Sequence, residues 1–254
     1  MPDKHAVLSA SSSYRWLACP PSALLCAKEK DKPSEFALQG TDAHTLCEHK
    51  LKLALGQQSK DPTEDLTFFD EEMADCTDMY AQYVMEQLSI AKEKRSDPIV
   101  LIEQHLDFSQ WVPEGFGTGD CVIVADETLT VIDFKYGVGI LVDAENNPQM
   151  MCYALGALSL FDGIYDIKDI TMTIFSQEEN MSAPFKFQRK HCFPGQKKHL
   201  HQQLSWRQRE KANTKPEVTA SFARSKPPAE RERNTTWNLL VMILRCQKVL
   251  KMMK

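Results

Sequence analysis

Apolar residues recur in two periods along the first 185 positions. Residues 35–55 place Ala43, Leu46, Leu51 and Leu55 at helical spacing, and residues 70–92 do the same with Met73, Tyr80, Val84 and Leu88. Both segments predict amphipathic helices. Residues 9–25 begin with serine and run through Tyr14-Arg15-Trp16-Leu17 towards Cys19-Pro20-Pro21, which predicts a short helix stopped by the prolines. Residues 99–106 predict a strand. Two further short apolar strands follow, with Asp120 at the start of one and Asp133 and Lys135 at the end of the other, joined by the polar turn Asp126-Glu127-Thr128. Asn147-Pro148 opens a helix that runs through Phe161, and residues 170–175 predict a last strand. Helix, three-stranded meander, helix, strand is an α/β core.

Past residue 185 the periodicity fades and the charge reverses. Residues 1–185 hold 13 Lys and Arg against 31 Asp and Glu, whereas residues 186–254 hold 17 against 4. An acidic body disfavours DNA, since phosphate attraction supplies most non-specific affinity, and a basic tail would compensate. The chain therefore divides into an organised domain over 1–180 and a basic, poorly ordered tail over 186–254.

Composition narrows the class. Hydrophobic content of 43% and charged content of 26% suit one globular domain with decoration. No run approaches the length of a membrane span, and the N-terminus Met1-Pro2-Asp3-Lys4-His5 lacks the basic and apolar regions of a secretory signal. Eight cysteines without close pairs, in a chain this long, argue against a disulfide framework. A cytoplasmic protein is expected. Cys26, Cys47, Cys76, Cys121 and Cys152 lie in apolar or helical settings and read as core residues.

The chemistry concentrates on the predicted hairpin. Period-two alternation puts Asp133 and Lys135 on one face and Phe134 on the other. A twisted hairpin brings Asp120, Asp133 and Lys135 to one spot, where two carboxylates and an ammonium suit a hard divalent cation beside a scissile phosphate. An isolated D-x-K would favour the plainer reading of an edge hairpin with solvated charges. The neighbours change that balance: Gly40-Thr41-Asp42-Ala43-His44 and Glu48 upstream, Gln149 and Tyr153 downstream.

The ordered set G-T-x-x-H-x-x-x-E, G-D, D-x-K, Q-x-x-x-Y resembles the RecB-type nuclease domain of the PD-(D/E)XK superfamily. It is similar in pattern to the CRISPR-associated adaptation exonucleases, and in wording to a phage and prophage branch. The resemblance runs from about residue 9 to about residue 173. It implies a restriction-endonuclease-like core, a central mixed sheet flanked by helices, and a metal-dependent DNA nuclease, an exonuclease by preference, in phage recombination or replication within a bacterial host. By resemblance, His44, Asp120, Asp133 and the backbone carbonyl of Phe134 bind Mg²⁺ or Mn²⁺, and Lys135 orients the attacking water or stabilises the developing charge. Gln149 and Tyr153 brace the lysine or contact the DNA backbone, with plain core packing as the alternative for Tyr153. Glu48 is either a solvated helix residue or a partner of His44, and Glu103 is a candidate outer carboxylate. The implied partners are DNA and a helicase or recombination protein. The competing reading is a catalytically compromised remnant or DNA-end-binding accessory protein.

The relatives also hold a four-iron cluster on an N-terminal cysteine, in a W-x-x-C-P context, and three C-terminal cysteines. Trp16-Leu17-Ala18-Cys19-Pro20 matches that context, but Cys192 and Cys246 in the tail have the wrong separation. Two readings fit the tail. One is a disordered basic segment. The other is a domain read in the wrong frame: with permitted synonymous codons, a shifted reading of residues 213–244 recovers a C-x2-C-x5-C pattern followed by an amphipathic helix. On that reading Cys19 is a ligand that has lost its 4Fe-4S cluster.

Overall fold

The computed structural model describes residues 6–19, 21–29, 33–137, 142–161, 163–176 and 184–188. Two short helices, α1 (Ser13–Ala18) and α2 (Ser22–Cys26), lead into two long ones, α3 (Glu35–Ala54) and α4 (Glu71–Lys94). Three strands follow, β1 (Ile99–Asp107), β2 (Phe116–Ala125) and β3 (Thr128–Lys135), then α5 (Pro148–Phe161), β4 (Asp169–Ser176) and β5 (Phe185–Gln188). The sheet order is β1-β2-β3-β4-β5. Pairing is antiparallel except between β3 and β4, which run parallel, as the crossover through α5 requires. This is an α/β fold with a five-stranded mixed sheet flanked by helices. No helix among the described residues is long and apolar enough to cross a membrane.

Local chemistry explains the element ends. Ser34 Oγ accepts from the Ala37 amide at 3.2 Å and caps α3, and Asp70 Oδ1 accepts from the Met73 amide at 2.7 Å and caps α4. Asn147, only 1% exposed, caps α5 by accepting from the Gln149 and Met150 amides at 2.9 and 3.2 Å. The turn between β2 and β3 falls at Asp126–Glu127, where Glu127 adopts φ 68° and pairs with Arg95 and Lys168.

Two cores form, one on each face of the sheet. On one face α5 and the N-terminal segment bury Leu8, Trp16, Leu106, Val122, Val131, Met150 and Leu155. On the other, α3 and α4 bury Leu46, Leu51, Met73, Tyr80, Val84, Ile132 and Phe134. The predicted stripes of α3 and α4 face this second core, with Leu55 at its margin. Four of the predicted core cysteines are buried; Cys26 is exposed, because α2 is a single surface turn and more.

Three features depart from the periodicity. The predicted N-terminal helix is two helices. Strand β2 starts at Phe116, so Asp120 lies within it rather than at its start. The run Gly115-Phe116-Gly117-Thr118-Gly119 carries glycine at alternate positions, and at Gly117 and Gly119 the reason is packing. A Cβ on Gly117 would sit 3.0 Å from the Tyr153 ring, and one on Gly119 would sit 2.7 Å from Leu106. Strand β5 extends the sheet to Gln188, into the first residues of the segment assigned to the basic tail, with Phe185 packed against the first core. The rest of that tail, including Cys192, Cys246 and the shifted-frame cysteine pattern, lies outside the described residues.

Candidate functional site

The site gathers where the side-chain alternation of β1 and β2 breaks. Leu101 and Leu106 pack into the same core although they are five positions apart, an odd offset that alternation would send to opposite faces, and their partners Val122 and Gly117 do likewise. Between them the ladder skips Glu103 and Asp120, which fall between the pairs Ile102↔Cys121 and Gln104↔Gly119. Glu103 takes φ 48°, a left-handed conformation that costs a non-glycine residue on the order of 1–3 kcal/mol and recurs at functional sites. The break turns Glu103 and Asp120 towards α3, the side occupied by Ile102 and Cys121.

Helix α3 supplies His44 to the same place. His44 Nδ1 lies 3.4 Å from Asp120 Oδ1, and ligand atoms of His44, Glu103 and Asp120 all fall within 4.8 Å of one another. Asp120 Oδ2 accepts from the Phe134 amide at 2.6 Å, which locks this carboxylate to β3. The His44 ring packs edge-on to Phe134 at 5.5 Å. Glu103, read as an outer carboxylate, thus stands beside His44 and Asp120 as a direct candidate ligand. Its strand register, set by the β1–β2 connection rather than by any local motif, is what the residue pattern did not expose.

Asp133 and Lys135 project from the end of β3 to the α5 side, as alternation predicts. Asp133 is 1% exposed; its Oδ2 lies 2.9 Å from Lys135 Nζ, and its Oδ1 accepts from Gln149 Nε2 at 3.1 Å. The ion pair leaves Asp133 Oδ2 without an aligned hydrogen-bond donor among the described residues. Gln149 also donates to the Tyr153 hydroxyl at 3.1 Å. Gln149 therefore braces the carboxylate rather than the lysine. Tyr153 is 5% exposed and packed in the first core, so it supports Gln149 and does not present a face to a DNA backbone. Glu48 pairs with Lys52 at 2.5 Å and lines a crevice with Glu103 and Asp120, without a hydrogen bond to His44. The Phe134 amide serves Asp120, and its ring anchors the second core. Cys19 is exposed at the end of α1.

The two halves of the site are coupled electrostatically. Burial pulls the His44 imidazole down, but the Asp120 carboxylate, with Asp133 behind it, more than offsets this and the net direction is up. Burial, then repulsion from Asp120, pushes Glu103 up to about 7. Burial raises Asp133 as well, against the pull of Lys135 and with a push from Asp120. Burial opposes the Lys135 charge, yet Asp133 and Asp120 raise its pKa. An excess of carboxylates that resist ionisation, with one buried oxygen lacking an aligned donor, fits a site built to hold a divalent cation.

The fold and site define an α/β domain with a histidine–carboxylate cluster at the end of a mixed sheet. Residues 5–231 match the family described as "Protein of unknown function (DUF2800)", and the chain belongs to that family.

Proposed function

We propose that the chain is a metal-dependent DNA nuclease with a restriction-endonuclease-like core. The observation that carries this reading is the meeting of His44, Glu103 and Asp120 with Asp133 and Lys135 at adjoining strand positions, linked by the bond from the Phe134 amide to Asp120. The element order α, three antiparallel strands, α, parallel strand supports the fold half of the reading.

The residues present fit the implied Mg²⁺ or Mn²⁺. His44, Glu103 and Asp120, whose ligand atoms lie within reach of one another, would hold it, with Asp133 adjoining them on the α5 side rather than within the cluster, and the imidazole favours Mn²⁺ more than an all-oxygen set would. When bound there, a divalent cation supplies Lewis-acid polarisation of a phosphodiester and lowers the pKa of water. The chain's own residues do the rest. Lys135, tethered to Asp133, presents a fixed positive charge to a non-bridging phosphate oxygen or to the attacking water. Gln149 fixes the rotamer of Asp133, and Asn147 fixes the first turn of α5 that carries Gln149. The Phe134 amide holds one oxygen of Asp120, leaving the other turned to His44.

The test is incubation of the purified full chain with linear duplex and single-stranded DNA in Mn²⁺ and in Mg²⁺, alongside Asp120→Ala and Lys135→Ala. Cleavage by the parent that both variants lose supports the reading. Full cleavage by both variants sinks it, and DNA-end binding without cleavage by the parent supports an accessory protein instead.

A further inference from the structure

We propose that Tyr80 is a positioning residue for the cation site, its hydroxyl serving as the hydrogen-bond donor that steadies the Glu103 or Asp120 carboxylate when these, with His44, hold a divalent cation. This rests on the metal-site reading above and adds a residue that no motif marks. Tyr80 sits mid-way along α4 on the stripe shared with Met73, Val84 and Leu88, and it is 2% exposed. Its ring packs on Phe134 at 5.0 Å and Phe175 at 5.7 Å, contacts that a phenylalanine would make equally well. Its hydroxyl is nevertheless buried and has no hydrogen-bond partner among the described residues.

A buried donor left unpaired costs about 1–3 kcal/mol, so natural cores seldom keep one without a use. The helix neighbour Tyr83 makes the contrast: its hydroxyl reaches Thr173 Oγ1 at 3.4 Å. Tyr80 instead lines the crevice formed by Cys47, Glu48, Leu51, Ile102, Glu103 and Asp120. After burial and the Cys121 thiol, Asp120 is the next group that raises its pKa, which places the hydroxyl within electrostatic reach of the candidate ligands. The crevice is therefore lined by both carboxylates and by a buried, unspent hydrogen-bond donor. Carboxylates that ligate a cation are themselves held by hydrogen bonds, and these outer partners tune the affinity of the site. Phe134 connects the two roles: its amide holds Asp120 and its ring holds Tyr80, so the donor and the ligand move as one unit.

The experiment compares the full chain, Tyr80→Phe and Asp120→Asn by Mn²⁺ titration, followed by electron paramagnetic resonance, and by thermal melting with and without Mn²⁺. Without metal, Tyr80→Phe should melt at the parent temperature or above it, because the unpaired hydroxyl is gone. Its Mn²⁺ affinity should fall about tenfold, the lower end of what loss of an outer-shell partner costs, and its melting shift with Mn²⁺ should shrink accordingly. Unchanged Mn²⁺ affinity in Tyr80→Phe, with Asp120→Asn impaired, overturns the role of Tyr80 and leaves the metal site standing. A metal-free melting temperature lowered by as much as the metal-bound one shows a purely structural tyrosine and also overturns it. Absence of Mn²⁺ binding by the parent overturns the site reading and this inference together.

Discussion

Glu103 and Asp120 occupy the break in the β1–β2 ladder between the pairs Ile102↔Cys121 and Gln104↔Gly119, where the left-handed backbone of Glu103 brings its carboxylate within 4.8 Å of that of Asp120. Burial first, and then repulsion from the Asp120 carboxylate, raises the Glu103 pKa there.

A pH dependence follows for the metal-free protein. Glu103 holds its proton up to about 7 in the fold against 4.5 for an ordinary glutamate, so the folded state binds more protons across that window. Stability then falls as pH rises from about 4.5 to about 7, and the raised His44 acts in the same direction. The melting temperature of the parent, taken relative to Glu103→Gln, should therefore decline through this range. Excess Mn²⁺ should reverse the trend, since ligands must be deprotonated to bind. A flat difference between the two proteins would contradict the assignment.

Asp133→Asn should separate stability from chemistry. Burial already disfavours the Asp133 charge, and Asn keeps an acceptor for Gln149. The metal-free variant should lose only about 1 kcal/mol, because the cost of burying the Asp133 charge disappears while the half-exposed Lys135 is left without its counter-ion. Mn²⁺-dependent cleavage should drop on the order of 10²-fold or more. Denaturant unfolding and a nuclease assay on the same samples decide the matter.

Glycines make a sharper pair of variants. A Cβ on Gly156 would lie 2.7 Å from Leu106 Cβ and 3.0 Å from its carbonyl carbon, so α5 could not seat on β1. Gly156→Ala should cost about 1–3 kcal/mol. Gly40, inside α3, has nothing within 4 Å of an added Cβ, and Gly40→Ala should stabilise by roughly 0.5–1 kcal/mol. If that more stable variant loses DNA binding, Gly40 serves the close approach of a ligand, since it answers no packing need. Urea titration of both variants gives the signs.

The purified chain should be colourless. The resemblance pairs Cys19 with three C-terminal thiolates, and residues 186–254 as written contain only Cys192 and Cys246. Brown visible absorption from anaerobically purified protein would overturn the shifted-frame reading, and colour gained only after restoring the frame would support it.

The elements were legible because each carries its own period. Met73, Tyr80, Val84 and Leu88 announce α4, and Asp133-Phe134-Lys135 announces the end of β3 with the correct faces. Glu103 and Asp120 were harder, since a break in alternation leaves no trace in composition and Gly117 and Gly119 disguise the strand that holds Asp120. Strand β5 was missed because Phe-Lys-Phe-Gln is too short a run to stand out beside a basic segment. The partner of Gln149 could not be read either: Asp133 and Lys135 share a face, and only the seating of α5 selects the acid.

The parallel seam between β3 and β4 sets an order of assembly. Antiparallel β1, β2 and β3 close through short connections, whereas β4 reaches β3 only after the chain has travelled out along α5 and back. Loop closure of that length slows pairing, so the meander carrying Glu103, Asp120 and Asp133 should become protected first in pulsed hydrogen exchange. Gln149, which steadies Asp133, arrives on the late-docking helix. A folding intermediate of this protein would therefore carry its acids before their brace, and a cation present during refolding should stabilise that intermediate, since its ligands stand on α3, β1 and β2.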